Sequence, residues 1–285
     1  MRHDIVYNLF PYGKHLILPD AYITEVKASG ELTYVQHKAT VDTISGFGLE
    51  LTPVRQQLFN IIEELQEKNL EERFKPKGKR KYTLENLLSE KKTREHIVQW
   101  VHRKMDTFFT ILKQHEFPLC WNIERKVPLE DLRIYYPVTE LIPKFFFRRT
   151  EEDVRYRFWF QEGEYRWHIR KREVLPLTNV PAWLLVSDQL HRVEGINGKM
   201  VQPFQKKDEV LIPEKHVKIY FQSFIRKVAA RANIQAEGFG LRQHNKLLAS
   251  KVEAVRDFMH DSWKIRLRFV YPKIEFEYDS EQTQR

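Results

Sequence analysis

The stretch 144–172, KFFFRRTEEDVRYRFWFQEGEYRWHIRKR, limits the fold most, because aromatic and cationic side chains alternate along it. Successive side chains of an extended chain point to opposite faces of a sheet, so this alternation is typical of strands with one buried face. Two such runs are separated by a short turn at Glu162-Gly163. One face would carry Tyr156, Phe158, Phe160, Tyr165, Trp167 and Ile169, and the other Arg155, Arg157, Trp159, Arg166, His168 and Arg170. The stretch therefore predicts three consecutive antiparallel strands.

The aromatic face must be buried, and a hairpin alone cannot bury it, so a second layer has to cover this sheet. The opposite face allows two interpretations. Four arginines and a histidine beside Trp159 would suit the phosphates and bases of a nucleic acid. The same alternation is also typical of an antiparallel face that simply contacts water.

Length and composition bound the class of protein. A chain of 285 residues allows one large or two ordinary domains, and 42% hydrophobic residues exclude disorder throughout. No run of 18 apolar residues is present, and the first ten residues lack the apolar core of a signal peptide, which predicts a soluble cytoplasmic protein with no membrane partner. The single cysteine, Cys120, lies in an apolar run and is predicted to be a buried, unreactive thiol.

The formal net charge of +9 arises mainly from one segment. Residues 73–104 hold eleven lysines and arginines against three glutamates, a balance of +8, and the densest part is KPKGKRK at 75–81. Pro76 and Gly78 would break any regular element there. The run is predicted to be a loop whose cations contact phosphates, with a merely solvated linker as the alternative. The candidate contacts are Lys75, Lys77, Lys79, Arg80 and Lys81, with Arg155, Arg157, Arg166 and Arg170 as a fixed sheet face.

The predicted fold class is α+β, with antiparallel β-meander sheets packed against a few amphipathic helices. An α+β amino-terminal domain would span 1–125 and contain the basic loop 73–82, and a β-rich domain would span 126–285. Strands are predicted at 3–10, 15–26, 33–43 and 117–125, and helices at 53–68 and 83–114 with a break near Lys91-Lys92.

Further along, the pattern predicts a second set of elements. Pro213 would open a helix in the strand-helix-strand passage 203–241. The other expectations are a strand at 182–187, a hairpin at 192–201 that turns at Ile196-Asn197-Gly198, an exposed turn-and-helix region at 242–262, and strands at 234–241, 264–271 and 274–278.

Motifs for catalysis are missing from the sequence. The nearest approach to a phosphate-binding loop, GINGKM at 195–200, is too short and lacks the Ser or Thr that would hold magnesium. Eleven histidines show none of the spacings of a metal site, and no nucleophile motif can be read. We therefore expect no enzymatic activity, no cofactor and no metal.

The passage 181–241 resembles the region that precedes the motor in bacterial Swi/Snf-type helicase-like ATPases, particularly those of Bacteroidetes. The similar features are an apolar strand continued by Asp-x-Leu-His-Arg at 188–192, a Gly-Lys pair at 198–199, Pro203-Phe204, Ile212-Pro213 before a helix, and Glu237-Gly238-Phe239. The resemblance implies a DNA-dependent ATPase motor further along a longer chain, with this portion as a non-catalytic accessory module.

Three hypotheses follow. The leading one is an accessory module of such an ATPase that binds DNA, double- or single-stranded, or regulates the motor. The second is an interaction or autoinhibitory scaffold whose cationic surface meets an acidic partner, for example its own downstream ATPase domain. The third is an enzyme whose site gathers His, Glu and Asp from distant segments.

Overall fold

The structure is a computed structural model, and it contains two units. Residues 1–143 and 158–208 form the first unit, and residues 144–157 and 209–285 form the second. The fold is α+β, with mainly antiparallel sheets and several helices. Side chains and backbone are described for 2–76, 82–124, 126–150, 153–171, 173–217 and 219–220, except the side chains of 167 and 171, and backbone alone for strands at 233–237, 249–257, 262–271 and 274–277.

The first sheet of the first unit is built on a long amino-terminal hairpin. Its strands β1 to β5 are Arg2–Tyr12, Leu16–Val26, Leu32–Lys38, Leu119–Trp121 and Arg133–Ile134, in the spatial order β3-β2-β1-β4-β5. β1 and β2 are antiparallel with Ile5 opposite Ile23, and β4 pairs parallel to β1 with Leu119 opposite Tyr7. Both faces are buried, since Tyr7 lies in the main core and Val6 in a smaller cluster with Cys120.

A helical layer covers the main-core face of this sheet. Its helices are α1 (Val41–Ile44), α2 (Pro53–Glu64), α3 (Glu67–Phe74), α4 (Leu84–Ser89) and α5 (Lys91–Gln114). The apolar stripe of α5 is buried, as its spacing predicted, and Met105 and Phe108 belong to the same core as Tyr7. The predicted break near Lys91-Lys92 is confirmed, because Glu90 is extended (φ −80°, ψ 115°).

Two predicted elements of this unit end earlier than expected. The strand predicted to reach 43 stops at Lys38, because the Thr40 hydroxyl accepts a hydrogen bond from the Thr43 N–H and starts α1. The helix predicted at 53–68 stops at Glu64, since the Asn69 side chain donates to the Glu63 carbonyl at 2.6 Å. A local side-chain bond to the backbone ends the regular element in both cases.

A three-stranded sheet completes the first unit. Strands β9 (Val174–Pro176), β10 (Ala182–Val186) and β11 (Gln189–Val193) lie in the order β11-β10-β9. The Val180-Pro181 peptide between β9 and β10 is cis. Trp183, Leu185 and Leu190 place this sheet in the same core as the first one.

The predicted hairpin turn at Ile196-Asn197-Gly198 is wrong. The hairpin turns instead at Ser187-Asp188, where Ser187 has a positive φ of 56°. The Asn197 side chain accepts a hydrogen bond from the Lys199 N–H and caps a 3₁₀ turn. Gly198 is needed there for close packing, because a Cβ atom would lie 2.3 Å from the Thr178 carbonyl oxygen.

The predicted meander is present as β6 (Leu141–Arg149), β7 (Asp153–Glu162) and β8 (Tyr165–His168). β6 neighbours β7 and β7 pairs antiparallel with β8, so three consecutive strands are confirmed. Burial alternates along β7 as expected from Asp153 to Phe158. The buried position predicted for Tyr165 is wrong, because it lies beside the hairpin turn and is 79% exposed. Ile169 is buried but begins a 3₁₀ turn (Ile169–Lys171) that ends the strand.

The second unit contains parts of β6 and β7 and the strands that follow Glu209. Its sheet has the order β12-β7-β6-β13, with β12 (Val210–Pro213) antiparallel to β7 and β13 (Asn233–Glu237) parallel to β6. A separate antiparallel sheet consists of β14 (Ala249–Asp257), β15 (Ser262–Tyr271) and β16 (Ile274–Glu277).

The second unit differs from expectation at two places. The region 242–262 contains strand β14 at Ala249–Asp257, because pairing with β15 gives its backbone a partner that the local sequence does not reveal. The expected division at 126–142 also differs from the observed units, since 158–208 belongs to the first one. Pro213 ends β12 and directly precedes helical residues. Residues 238–241 of the strand predicted at 234–241 lie outside the described residues.

None of the described helices combines the length and apolar character needed to cross a lipid bilayer.

Candidate nucleic-acid interface

The amino end of the basic run 75–81 is fixed to the helical layer. The ring of Phe74, the last residue of α3, contacts the ring of Trp100 on α5 edge to face, with 5.9 Å between centroids. The next residue, Lys75, is exposed, and its backbone N–H donates to the Glu71 carbonyl at 2.9 Å. The predicted contacts Lys77, Lys79, Arg80 and Lys81 lie outside the described residues.

The residues that follow the run bond to the same helices. The Tyr82 hydroxyl donates to the Glu90 carboxylate, and the Leu84 N–H donates to Glu71 Oε1 at 2.7 Å. The Thr83 hydroxyl caps α4 by accepting from the Asn86 N–H. Glu71 therefore bonds to both flanks of the run, at Lys75 and at Leu84.

Further cations lie on the helices beside this run. The Arg73 guanidinium lies over the Trp100 ring, 4.6 Å from its centroid, and Lys104 approaches the same ring at 5.6 Å. Lys104 is also 2.6 Å from the Glu64 carboxylate, which offsets its charge. A cation on an aromatic face keeps its full charge, so stacking fixes Arg73 without neutralising it.

The beginning of α5 adds to this positive field. Lys91 and Lys92 are exposed in its first turn, which contains no acidic residue. The first turn of a helix already carries the positive end of the helix dipole, so lysines there cost stability and favour a bound anion. We define the basic helical surface as the described cations Arg73, Lys75, Lys91 and Lys92.

The arginines of β7 are exposed as predicted, but a carboxylate lies between them. Arg155 and Arg157 have side chains 49% and 50% exposed. Arg155 lies 3.1 Å from Oε1 of Glu209, and Arg157 donates to Oε2 through Nε at 3.2 Å and through a terminal nitrogen at 3.1 Å. The three side chains therefore carry a net charge of +1.

The two arginines after the hairpin turn belong to the first unit and differ from each other. Arg166 stacks over the buried ring of Trp159 at 4.8 Å. Arg170 lies on the 3₁₀ turn after β8, so it is not part of the strand as predicted, and it pairs with Asp208 at 3.0 Å. Both members of that pair are more than half exposed, at 57% and 64%. The role of the four arginines in binding nucleic acid stays a prediction.

Two polar residues on the inner face of α5 escaped the sequence analysis. His102 is buried, and its Nδ1 accepts from the Asn179 N–H at 3.0 Å, while Asp106 accepts from the Trp183 indole N–H at 2.8 Å. Burial, with a smaller contribution from Lys199, lowers the pKa of His102 to about 4. The four-residue spacing of His102 and Asp106 on an otherwise apolar face was the available signal. Their partners show that they hold the β9–β10 segment against α5.

Groups suited to metal binding do not converge in the part of the chain that the structure describes. No cluster of three or more His, Cys, Asp or Glu side chains there could hold a metal ion. Cys120 is buried as predicted, and burial raises the pKa of its thiol to about 12. A thiol in that state is protonated at neutral pH and is a poor nucleophile.

The chain was compared with models of protein families, with curated proteins and with solved structures. None of the three comparisons gave a match.

Proposed function

We propose that this chain binds the backbone of a nucleic acid through the basic helical surface and the basic run 75–81. The observation that carries the proposal is the concentration of charge: residues 73–104 hold +8 of a net +9, and the described cations of that surface are exposed. A dense cationic segment on one side of a domain is the electrostatic footprint of a phosphate-binding protein.

The anchoring of the run supports the same function. Phe74 packs on Trp100 and the Leu84 N–H donates to Glu71, so only a short stretch of sequence that includes the run lies between two fixed points. A cation on such a short tether loses less conformational freedom on binding than one on a free tail. The lysines at the start of α5 lie where an anion is favoured by the helix dipole as well.

The experiment measures binding to random-sequence DNA at several salt concentrations. If about five phosphates are neutralised, the logarithm of affinity should fall with the logarithm of salt with a slope of about −4.5 on duplex. The test variant reverses the run to glutamate: Lys75, Lys77, Lys79, Arg80 and Lys81. A matched control reverses five exposed lysines elsewhere: Lys14, Lys113, Lys126, Lys206 and Lys207.

The test variant should lose DNA binding at about 0.1 M salt, whereas the control, with the same change in net charge, should keep most of it. Equal loss in both variants would show that only the total charge matters. Binding that does not depend on salt, or that survives reversal of the run, would refute the proposal and favour a surface for an acidic protein partner.

We also propose that the chain acts with a DNA-dependent ATPase motor of the Swi/Snf type. This part rests on the resemblance of 181–241. It predicts that adding the chain to a bacterial Swi/Snf-type motor changes the rate of DNA-stimulated ATP hydrolysis. An unchanged rate at saturating concentrations of the chain would refute it.

A further inference from the structure

The first unit contains a cavity of about 370 Å³ that the basic helical surface does not use. The end of β4 provides Trp121 for its wall, and Ile169 and Leu185 provide aliphatic surface beside the indole. Its volume lies within the range of small-molecule sites, which is roughly 300–1,000 Å³. An aromatic ring and aliphatic side chains form a surface suited to a flat, weakly polar group such as a nucleobase.

The rim of the cavity is rich in hydrogen-bond acceptors. The amide nitrogen of Gln205 donates to the Val174 carbonyl at 2.6 Å, so that side chain offers its oxygen as an acceptor. The Glu173 carboxylate and the Ser187 hydroxyl are exposed and make no hydrogen bond or ion pair with any described residue. The rim therefore offers two acceptors and a hydroxyl to a ligand that carries hydrogen-bond donors.

A cation lies next to these acceptors. The Arg170 side chain lines the cavity and pairs with Asp208 at 3.0 Å, but both side chains are exposed. Exposed ion pairs contribute little free energy, so a phosphate could displace the Asp208 carboxylate. Arginine binds phosphate through two parallel N–H donors, which makes it a suitable phosphate ligand at this position.

We propose that this cavity binds a single nucleotide, with its base against Trp121, its amino group on Glu173 and Gln205, and its phosphate on Arg170. The choice of a nucleotide rests on the proposed function, whereas the geometry of the cavity is independent of it. The acceptors select bases that carry amino groups, as in guanine and cytosine, over uracil. The ligand is an unpaired nucleotide within a strand or a free mononucleotide.

Calorimetric titration of the whole chain with the 5′-monophosphates of guanosine, cytidine and uridine, at constant salt, tests the proposal. Guanosine or cytidine monophosphate should bind at least about tenfold more tightly than uridine monophosphate, because their exocyclic amino groups donate to the carboxylate, whereas uracil carries carbonyl oxygens in place of an amino group. Glu173→Gln should weaken this preference, because a neutral amide oxygen is a weaker acceptor than the carboxylate. Glu164→Gln, at an exposed position in the β7–β8 turn, should retain it.

Two further measurements complete the test. Arg170→Ala should weaken binding of the monophosphates by about tenfold and leave binding of the nucleosides unchanged. A pentanucleotide that binds more tightly than its monomer identifies a strand as the ligand, and equal affinity identifies a free nucleotide. The absence of monophosphate binding at millimolar concentration, or an unchanged preference in Glu173→Gln, would refute the proposal.

The outcome can be separated from that of the DNA experiment. The variant with five reversed charges at 75–81 should bind monophosphates as tightly as the natural chain, because the proposed contacts are made by Trp121, Arg170, Glu173 and Gln205. If DNA binding fails while monophosphates still bind, the proposal for the basic surface is wrong. If DNA binds while monophosphates do not, the proposal for the cavity is wrong.

Discussion

Replacement of Glu209 by glutamine tests whether the β7 arginines contact phosphates. The change removes one negative charge and raises the net charge of Arg155, Arg157 and residue 209 from +1 to +2. Because both arginines are about half exposed, each pair contributes at most about 1 kcal/mol, and the amide can still accept one hydrogen bond. The free energy of unfolding should therefore fall by less than about 2 kcal/mol, as measured by urea denaturation.

If this face binds a duplex, the variant should bind DNA more tightly. One additional cation steepens the slope of log affinity against log salt by about 0.9, which corresponds to about eightfold tighter binding at 0.1 M salt. Fluorescence anisotropy of a labelled duplex at four or five salt concentrations measures both quantities. Glu214→Gln is the matched control, because it frees Arg149 from an ion pair of 2.6 Å in the same unit.

The comparison of these two variants decides the interpretation. A gain in DNA affinity that occurs only in Glu209→Gln supports contact between the β7 arginines and phosphates. An equal gain in both variants indicates a general effect of charge. An unchanged slope in Glu209→Gln would refute the assignment of Arg155 and Arg157 to the nucleic acid and leave a face that simply contacts water.

Three other perturbations test the packing of the first unit. The pKa of His102 falls from 6.5 to about 4 on folding, so its neutral form contributes stability above pH 6.5 that is lost as the pH falls to 4, up to about 3 kcal/mol. His102→Gln should therefore make the free energy of unfolding in urea less dependent on pH over that range. The control His96→Gln, at an exposed position, should leave the pH dependence unchanged. Cys120 should resist a thiol reagent at pH 8 in the folded chain and react fully in urea, so rapid reaction without urea would contradict its burial. Gly198→Ala should lower the free energy of unfolding by about 1–3 kcal/mol, because the added Cβ meets the Thr178 carbonyl; an unchanged urea midpoint would contradict that contact.

Much of the secondary structure could be predicted because it depends on local periodicity. Tyr156 and Phe158 are buried on β7 while Arg155 and Arg157 are exposed, and the stripe of α5 is buried from Ile97 to Leu112. The predicted element boundaries were wrong where a single side chain bonds to the backbone and ends an element that the periodicity would continue. Thr40 starts a helix inside a predicted strand, and Asn69 ends α2.

The candidate site was harder to predict. The sequence identified the basic run and the arginines, but it could not show that Glu209, 54 residues after Arg155, lies between two of them. Nor could it show that the cavity beside Trp121 gathers Arg170, Glu173 and Gln205. These residues carry no shared motif, and only their positions in the folded unit bring them together.

The sequence by itself determined the alternation of the β7 strand, the helical layer and the concentration of positive charge in 73–104. Those features follow from residue type and spacing, which act over a few residues at a time. Only the tertiary structure decided which cations lie beside a carboxylate and which polar groups converge. An example is the bond from the Asn179 N–H to His102, 77 residues earlier. Such contacts depend on how distant elements pack, and the free energy of that packing is a property of the whole core rather than of any local segment.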